Sequence, residues 1–290
     1  MDFYIMSDSS CDISLEQENA YDIRLVPYYV SFDGETYLKD RKEITADAFY
    51  QKMTDNPGLY PKTSMPTQVD FYEAFQPFAK DGKKVIYLNL TSKFSSSFQS
   101  ANLAAEGLME EYPDCKIAVI DSFAATVQEG LLVTEAARMA KAGLSFEEAV
   151  EKLEELKLTS RIFFTTADLS YLKKGGRIGK ASHMVGSLLN LKPILSLNEG
   201  VISAYEKIRG NKGNKALERL IEILAEKIDP NKKLYCAIGY SDSNALEQAK
   251  YIQERLQDKV DCDEFVYLQI GSVVGAHIGT GAVGMGFYQL

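Results

Sequence analysis

Two clusters of hydroxyl side chains stand at the borders of patterned segments in this chain: Thr63 and Ser64 within PKTSMPTQ, and Ser95, Ser96 and Ser97 within TSKFSSSFQ. The second cluster follows the apolar run Val85-Ile86-Tyr87-Leu88-Asn89-Leu90 and precedes Ala101, Ala104, Ala105, Leu108 and Met109, which recur at the spacing of one helix face. Its serines therefore stand where a strand hands over to a helix. A helix start presents unpaired backbone N–H groups and the positive end of the helix dipole, and hydroxyls there add further donors. Such a cradle suits a phosphate or a carboxylate. Serine and threonine are also favoured N-caps in any protein, so ordinary capping accounts for either cluster taken alone.

The elements around these clusters alternate. Strand-like runs at Phe3–Met6, Ile23–Val30, Val85–Leu90 and Lys116–Asp121 are interleaved with helical patterns at Thr45–Met53, Thr67–Lys80, Ser97–Glu111, Val127–Lys141 and Ser145–Leu156. That order predicts an α/β fold whose N-terminal parallel sheet is flanked by helices, with ligands at the carboxyl ends of the strands. Loops 7–12, 61–67, 92–97 and 121–126 are expected to gather at that edge. The character changes after Leu158, dividing the chain into expected domains 1–158 and 159–290. Strand patterns at Arg161–Ala167, Pro193–Asn198, Val201–Glu206, Leu234–Tyr240 and Phe265–Ile270, interrupted by helices at Lys215–Lys227 and Asn244–Gln257, predict a C-terminal mixed-sheet α+β domain. Asn198-Glu199-Gly200 reads as the turn of a hairpin.

Composition narrows the function classes. The chain has 290 residues, 46% of them hydrophobic, enough for a full core in each of two domains. A net charge of −9 and a pI near 5.0 give no basic field for nucleic acid. No apolar run approaches the length of a membrane span, and the start MDFYIMSDSS lacks a signal-peptide pattern, so a cytoplasmic protein is expected. Cys11, Cys115, Cys236 and Cys262 form no CxxC pair and have no histidine at ligand spacing, so no metal site is expected. His183 and His277 are the two imidazoles, and no G-x-S-x-G elbow is present, which leaves no obvious nucleophile–base–orienter set. His277 lies in a glycine-rich tail that would give a ligand steric access; His183, in a helical pattern over Lys180–Leu191, is assigned no role. Gly279–Gly284 matches G-x-G-x-x-G as a string, but the chain ends at Leu290, before the helix and acidic residue that a dinucleotide site needs. The basic loop from Leu172 to Gly179 reads as a solvated turn or as an anion or partner contact.

The segments DFYIMSDSSCDI, YPKTSMPTQVDF, LTSKFSSSFQSA, IDSFAATVQEGLL, DLSYLKKGGRIGKA, YEKIRGNKGNKAL and GAHIGTGAVGMGF together make a pattern that resembles the DegV family over nearly the whole chain. These are bacterial fatty-acid-binding proteins that include the binding subunits of fatty-acid kinase. The resemblance implies a DegV-like two-domain fold with a long-chain fatty acid in a tunnel between the domains. It implies that Thr63 and Ser95 hold the carboxylate, that the N–H of Ser96 is a further donor, and that His277 lies near the head group. Ser64 and Ser97 are expected as secondary head-group contacts. Arg177 and Arg209 match arginines implicated in contact with the kinase or with phosphate. The family often has Gly where this chain has Ser96 and Gln where it has Met65, which touches head-group geometry and not ligand class.

Elementary energetics agree with that ligand. Burying about fifteen methylenes at about 0.8 kcal/mol each offers on the order of 12 kcal/mol before ordering costs. The tail supplies affinity, and several donors must meet the carboxylate to offset its desolvation. Phe94, Phe164, Ile194, Leu195 and Val274 are apolar residues available for a tunnel. The expected function is a non-catalytic carrier that binds the acid and presents it to a fatty-acid kinase subunit for acyl phosphate formation, within phospholipid metabolism. No cofactor is expected, and transient contact with a membrane stays open. Two alternatives are a phosphotransferase or hydrolase acting by itself and a regulatory lipid sensor without a kinase.

Overall fold

The computed structural model describes residues 2–184, 191–209, 214–262 and 265–290. Its first half runs β1 (Tyr4–Asp8), α1 (Leu15–Tyr21), β2 (Arg24–Val26), β3 (Tyr29–Ser31), β4 (Leu38–Lys39), α2 (Ala46–Asp55), β5 (Lys62–Ser64), α3 (Gln68–Lys80), β6 (Lys84–Asn89), α4 (Ser97–Glu111), β7 (Lys116–Asp121), α5 (Thr126–Lys141) and α6 (Phe146–Thr159). The second half runs β8 (Arg161–Thr165), α7 (Ser170–Lys174), β9 (Leu191–Asn198), β10 (Val201–Arg209), α8 (Lys215–Lys227), β11 (Leu234–Tyr240), α9 (Ser243–Leu256), β12 (Val266–Gln269), α10 (Ser272–Ile278) and β13 (Val283–Gln289). Tight 3-10 turns occupy Ser9–Cys11 and Gly179–Met184.

The strands form a parallel four-stranded sheet in the order β2-β1-β6-β7 and a mixed six-stranded sheet in the order β10-β9-β8-β13-β11-β12. Helices cover the parallel sheet on both faces. On one, the predicted stripe Ala101, Ala104, Ala105 and Leu108 of α4 meets Phe71, Phe75 and Tyr87. On the other, Ile5, Ile86 and Ile120 meet α5 and α6. Fourteen of the sixteen residues of α5 are buried, because this helix lies between the two sheets and must be covered all round. The second sheet packs one face on α8 and α9 through residues such as Ile194, Ile238 and Met285. Its other face, with Ile162, Phe164, Leu197 and Ile202, joins the core that contains α5.

Several local expectations are corrected. The strand expected over Ile23–Val30 is two strands in different sheets, since Pro27 has no N–H to continue a ladder: β2 pairs with β1, while β3 pairs with β4 and β5 in a small antiparallel sheet. The loop expected over 61–67 contains β5. The helical pattern over Lys180–Leu191 is instead a 3-10 turn to Met184, with Leu191 opening β9; residues 185–190 lie outside the described residues. The glycine-rich tail is ordered as α10 and β13, and Gly279–Gly284 leads into the last strand instead of opening a helix. The hairpin at Asn198–Gly200 forms as expected, with Glu199 at φ 48° and Gly200 at φ 79°.

A group of buried acids lies at the carboxyl end of β1. Asp8 and Glu129 are solvent-free, and burial, reinforced in Glu129 by the charge of Asp8, raises both above the ordinary carboxyl range. Ser10 Oγ lies 2.5 Å from Asp8 Oδ1 and 3.1 Å from Glu129 Oε2. One serine proton serves one of these, so a protonated Glu129 completes the set. Asp12 accepts the Gly271 N–H at 2.8 Å, and burial pushes its carboxyl up to about 7.

The folded state therefore holds the Asp12 proton more tightly than an unfolded chain, whose carboxyl titrates near 3.8. Its contribution to stability is complete below that value and is lost as pH rises through about 7. Calorimetry should give a lower thermal midpoint at pH 8.5 than at pH 5.5, with Asp12 accounting for about 2 kcal/mol of the difference. Asp12→Asn should flatten that dependence; an unchanged slope in the variant contradicts the assignment.

Candidate functional site

The α5 helix packs on β11 and β13, and a gap remains between it and the Ile162, Phe164, Leu197 and Ile202 side chains of β8 to β10. A cavity of about 500 Å³ occupies this gap. Val127, Ile162, Phe164, Leu197, Ile202 and Val273 are among its apolar walls. Phe94, Phe164 and Val274, proposed from sequence as tunnel residues, line it; Ile194 faces α8 and α9, and Leu195 is buried outside the lining.

The polar groups collect on the side of the parallel sheet's loops. Thr63 and Ser64 come from β5, Ser95 and Ser96 from the β6–α4 connection, Arg177 from the turn after α7, and His277 from α10; all six line the cavity. The spacing 273, 274 and 277 puts His277 on the same helix face as two wall valines. Thr63 Oγ1 lies 2.9 Å from His277 Nε2. Ser95 Oγ accepts the N–H of Ser97 at 3.2 Å, so this serine does part of the capping that its position suggested. Ser96 is the N-cap residue of α4, yet its side chain makes no cap bond. Thr67, by contrast, forms a full capping box with Asp70.

Two of the expected residues lie outside the lining. Ser97 is fully buried, bonded to Asn89 and Tyr28, and is not part of the cavity lining. Arg209 is exposed at the end of edge strand β10, also outside the lining. Arg177 lines the cavity, and its Nε donates to Phe94 O at 3.1 Å and its Nη1 to Gly175 O at 2.5 Å, tying the α7 turn to the serine loop. The residue that sequence reasoning missed is Tyr28, which also lines the cavity and whose hydroxyl lies 3.0 Å from Ser95 Oγ. The only sequence signal was a phenol after Pro27, at the break between two strands.

The hairpin of β9 and β10 closes one side. Thr91 Oγ1 donates to Gly200 O at 3.4 Å, and a Cβ built on Gly200 would lie 2.0 Å from that hydroxyl oxygen. The loop that carries Ser95 is thus clamped by the second sheet.

His277 is held neutral: burial, then the charge of Arg177, lowers its imidazole to about 4. Nδ1 is buried and has no hydrogen-bond partner among the described residues. A hydroxyl beside an imidazole is half of a nucleophilic set, but here the imidazole is a weak base and has no acid to orient it. What the arrangement offers is donors: the hydroxyls of Thr63, Ser64, Ser95 and Ser96, with an imidazole and a guanidinium beside them, at one end of an apolar space. That combination matches an anionic head group on an apolar tail.

The family model described as "uncharacterised protein, DegV family" matches residues 2–290. A DegV domain-containing protein of Clostridium perfringens is 34% identical over 288 residues, 98% of this chain and 97% of that protein. Among solved structures, a stearic-acid-binding protein from Eubacterium ventriosum superposes with a TM-score of 0.90 at 38% identity, covering 99% of this chain and 98% of that one. DegV of Bacillus subtilis, described as a fatty acid binding protein, gives 0.87 at 30% identity over the whole of both chains.

The imidazole environment can be checked directly. NMR titration should place His277 near pH 4, well below an ordinary histidine. Gly175 has a helical φ of −72°, so alanine fits its backbone, but the new Cβ would stand 2.1 Å from His277 Nδ1. Gly175→Ala should therefore displace the ring and shift its titration while the chain stays folded; an unmoved midpoint would refute this packing.

Proposed function

This chain belongs to the DegV family, and from that premise we propose that it binds a long-chain fatty acid and presents its carboxylate to a partner kinase. The observation that carries the proposal is the pairing of an apolar cavity with convergent neutral donors at one end. The acid lies between the unit of residues 1–158, which supplies most of the hydroxyls, and that of residues 159–290, which closes over the tail. Thr63 and Ser95 donate to the carboxylate, with the Ser96 N–H, Ser64 and His277 around it. A neutral His277 donates Nε2–H to Thr63, so the threonine proton is free for the ligand. Arg177 offers positive charge near the head group, and Arg209 serves the partner or the phosphate.

The same site argues for a carrier instead of an enzyme acting alone, because His277 is a poor base. Among the described residues no helix is long and apolar enough to cross a membrane. Acyl phosphate formed on mixing with the host's fatty-acid kinase and ATP is the expected result; binding without product in that mixture favours the sensor reading, and ATP turnover by the chain alone favours the enzyme.

Native mass spectrometry of the purified protein, followed by organic extraction, should reveal one bound fatty acid per chain. An empty protein that also refuses added fatty acid defeats the proposal. Thr63→Ala and Ser95→Ala should each weaken fatty-acid affinity about tenfold or more, the usual cost of a hydrogen bond to a charged group, without unfolding the chain. Arg209→Ala should leave lipid affinity intact and reduce acyl phosphate formation.

A further inference from the structure

Ser95 is one end of a buried chain of hydrogen-bonding groups. Asn89 Nδ2 donates to the Leu90 carbonyl, an obligate acceptor, which fixes the orientation of the amide. The same Nδ2 donates to Ser97 Oγ at 3.0 Å. Ser97 Oγ lies 2.6 Å from the Tyr28 hydroxyl, which in turn lies 3.0 Å from Ser95 Oγ. Asn89 and Ser97 are fully buried and Tyr28 is 3% exposed, so water does not compete for these groups. The Tyr28 backbone is itself held by its N–H bond to Ser9 Oγ at 3.1 Å.

The single tyrosine proton cannot serve both serines. Ser97 receives a proton from Asn89, and its own proton finds its acceptor in the Tyr28 oxygen. Tyr28 then donates to Ser95. With the Ser97 N–H also pointing at Ser95 Oγ at 3.2 Å, both acceptor positions of Ser95 are filled. Its one remaining valence is an O–H facing the cavity.

We propose that Tyr28 is a positioning residue that, through the ordered series Asn89, Ser97, Tyr28 and Ser95, makes Ser95 an obligate donor and so selects an anionic carboxylate over a neutral head group. The inference rests on the fatty-acid reading above and adds to it the origin of head-group selectivity. Successive donors polarise one another in a dry site, which strengthens the last bond in the series. Burial and the charge of Asp8 hold the Tyr28 phenol well above its ordinary range, so it keeps the proton it must donate. His277 treats Thr63 in the same way from the opposite side, and the carboxylate meets two hydroxyls whose protons both point inward.

The test compares hexadecanoic acid with hexadecan-1-ol in the wild-type chain and in Tyr28→Phe, which keeps the buried ring and removes only the hydroxyl. The variant should bind the acid roughly three- to tenfold more weakly while its affinity for the alcohol changes less than about twofold. The carboxyl carbon of bound [1-13C]hexadecanoic acid should titrate at higher pH in the variant, because a carboxylate with a weaker donor is easier to protonate. Ser97→Ala, one step further back, should move both readouts in the same direction and serves if Tyr28→Phe does not fold. Equal loss of acid and alcohol, or no change in either, overturns the role of Tyr28 while leaving the fatty-acid reading standing. A wild-type chain that binds neither overturns that reading and this inference together.

Discussion

A fully buried carboxyl group organises the head end of the cavity. Asp8, at the end of β1, accepts the Ser10 N–H and hydroxyl on one oxygen and the Leu90 N–H at 2.9 Å on the other. Parallel strands β1 and β6 are paired only as far as Ser7 and Leu88, so beyond that point the ladder no longer holds their ends together. Asp8 takes over from it, and the loop that leads to Ser95 leaves β6 in a direction fixed by this side chain. Buried donors left without that acceptor would each cost on the order of 1–3 kcal/mol, which gives the group its leverage. The neighbouring Ser9 aims Tyr28 through the same short turn.

The cavity exists because the helices shared by the two sheets leave part of the wider sheet uncovered by them. The α5 helix is buried between them, but the mixed sheet is six strands wide, and a helix about 10 Å across shields only part of it. Large side chains on β8 to β10, among them Phe164, Leu197 and Ile202, are left facing the loops of the parallel sheet. Those loops carry hydroxyls and backbone N–H groups because strands end and helices begin there. The polar end and the apolar body of the site thus have one origin: two differently built sheets packed on shared helices.

Regular elements were legible from sequence wherever side-chain periodicity was strong. The small-residue stripe of α4 and the turn at Glu199-Gly200 formed as read. Short elements were not: β5, which carries Thr63, has three residues, too few to show alternation and so indistinguishable from loop in the sequence. In α10 and β13, glycines removed the apolar pattern that would have marked a helix and a strand. Contacts across long stretches of chain were beyond periodicity altogether. Thr63 and His277 are 214 residues apart, and only likeness to a family suggested that they belong together. Ser97 looked equivalent to its neighbours in the run of serines, yet the first turn of α4 points it inward and away from the cavity. The link from Tyr28 to Ser95 spans 67 residues and had no counterpart in any sequence pattern.

The contact between Gly200 and Thr91 bears on how this protein can drift over evolutionary time. Position 200 is closed to side chains on two independent grounds: a left-handed backbone at φ 79°, and a hydroxyl oxygen 2.0 Å from where a Cβ would sit. Relaxing the turn alone would not admit a larger residue, and trimming Thr91 alone would not either. Substitution there requires compensating change in two distant segments at once, so the hairpin and the serine loop are bound to vary as a unit.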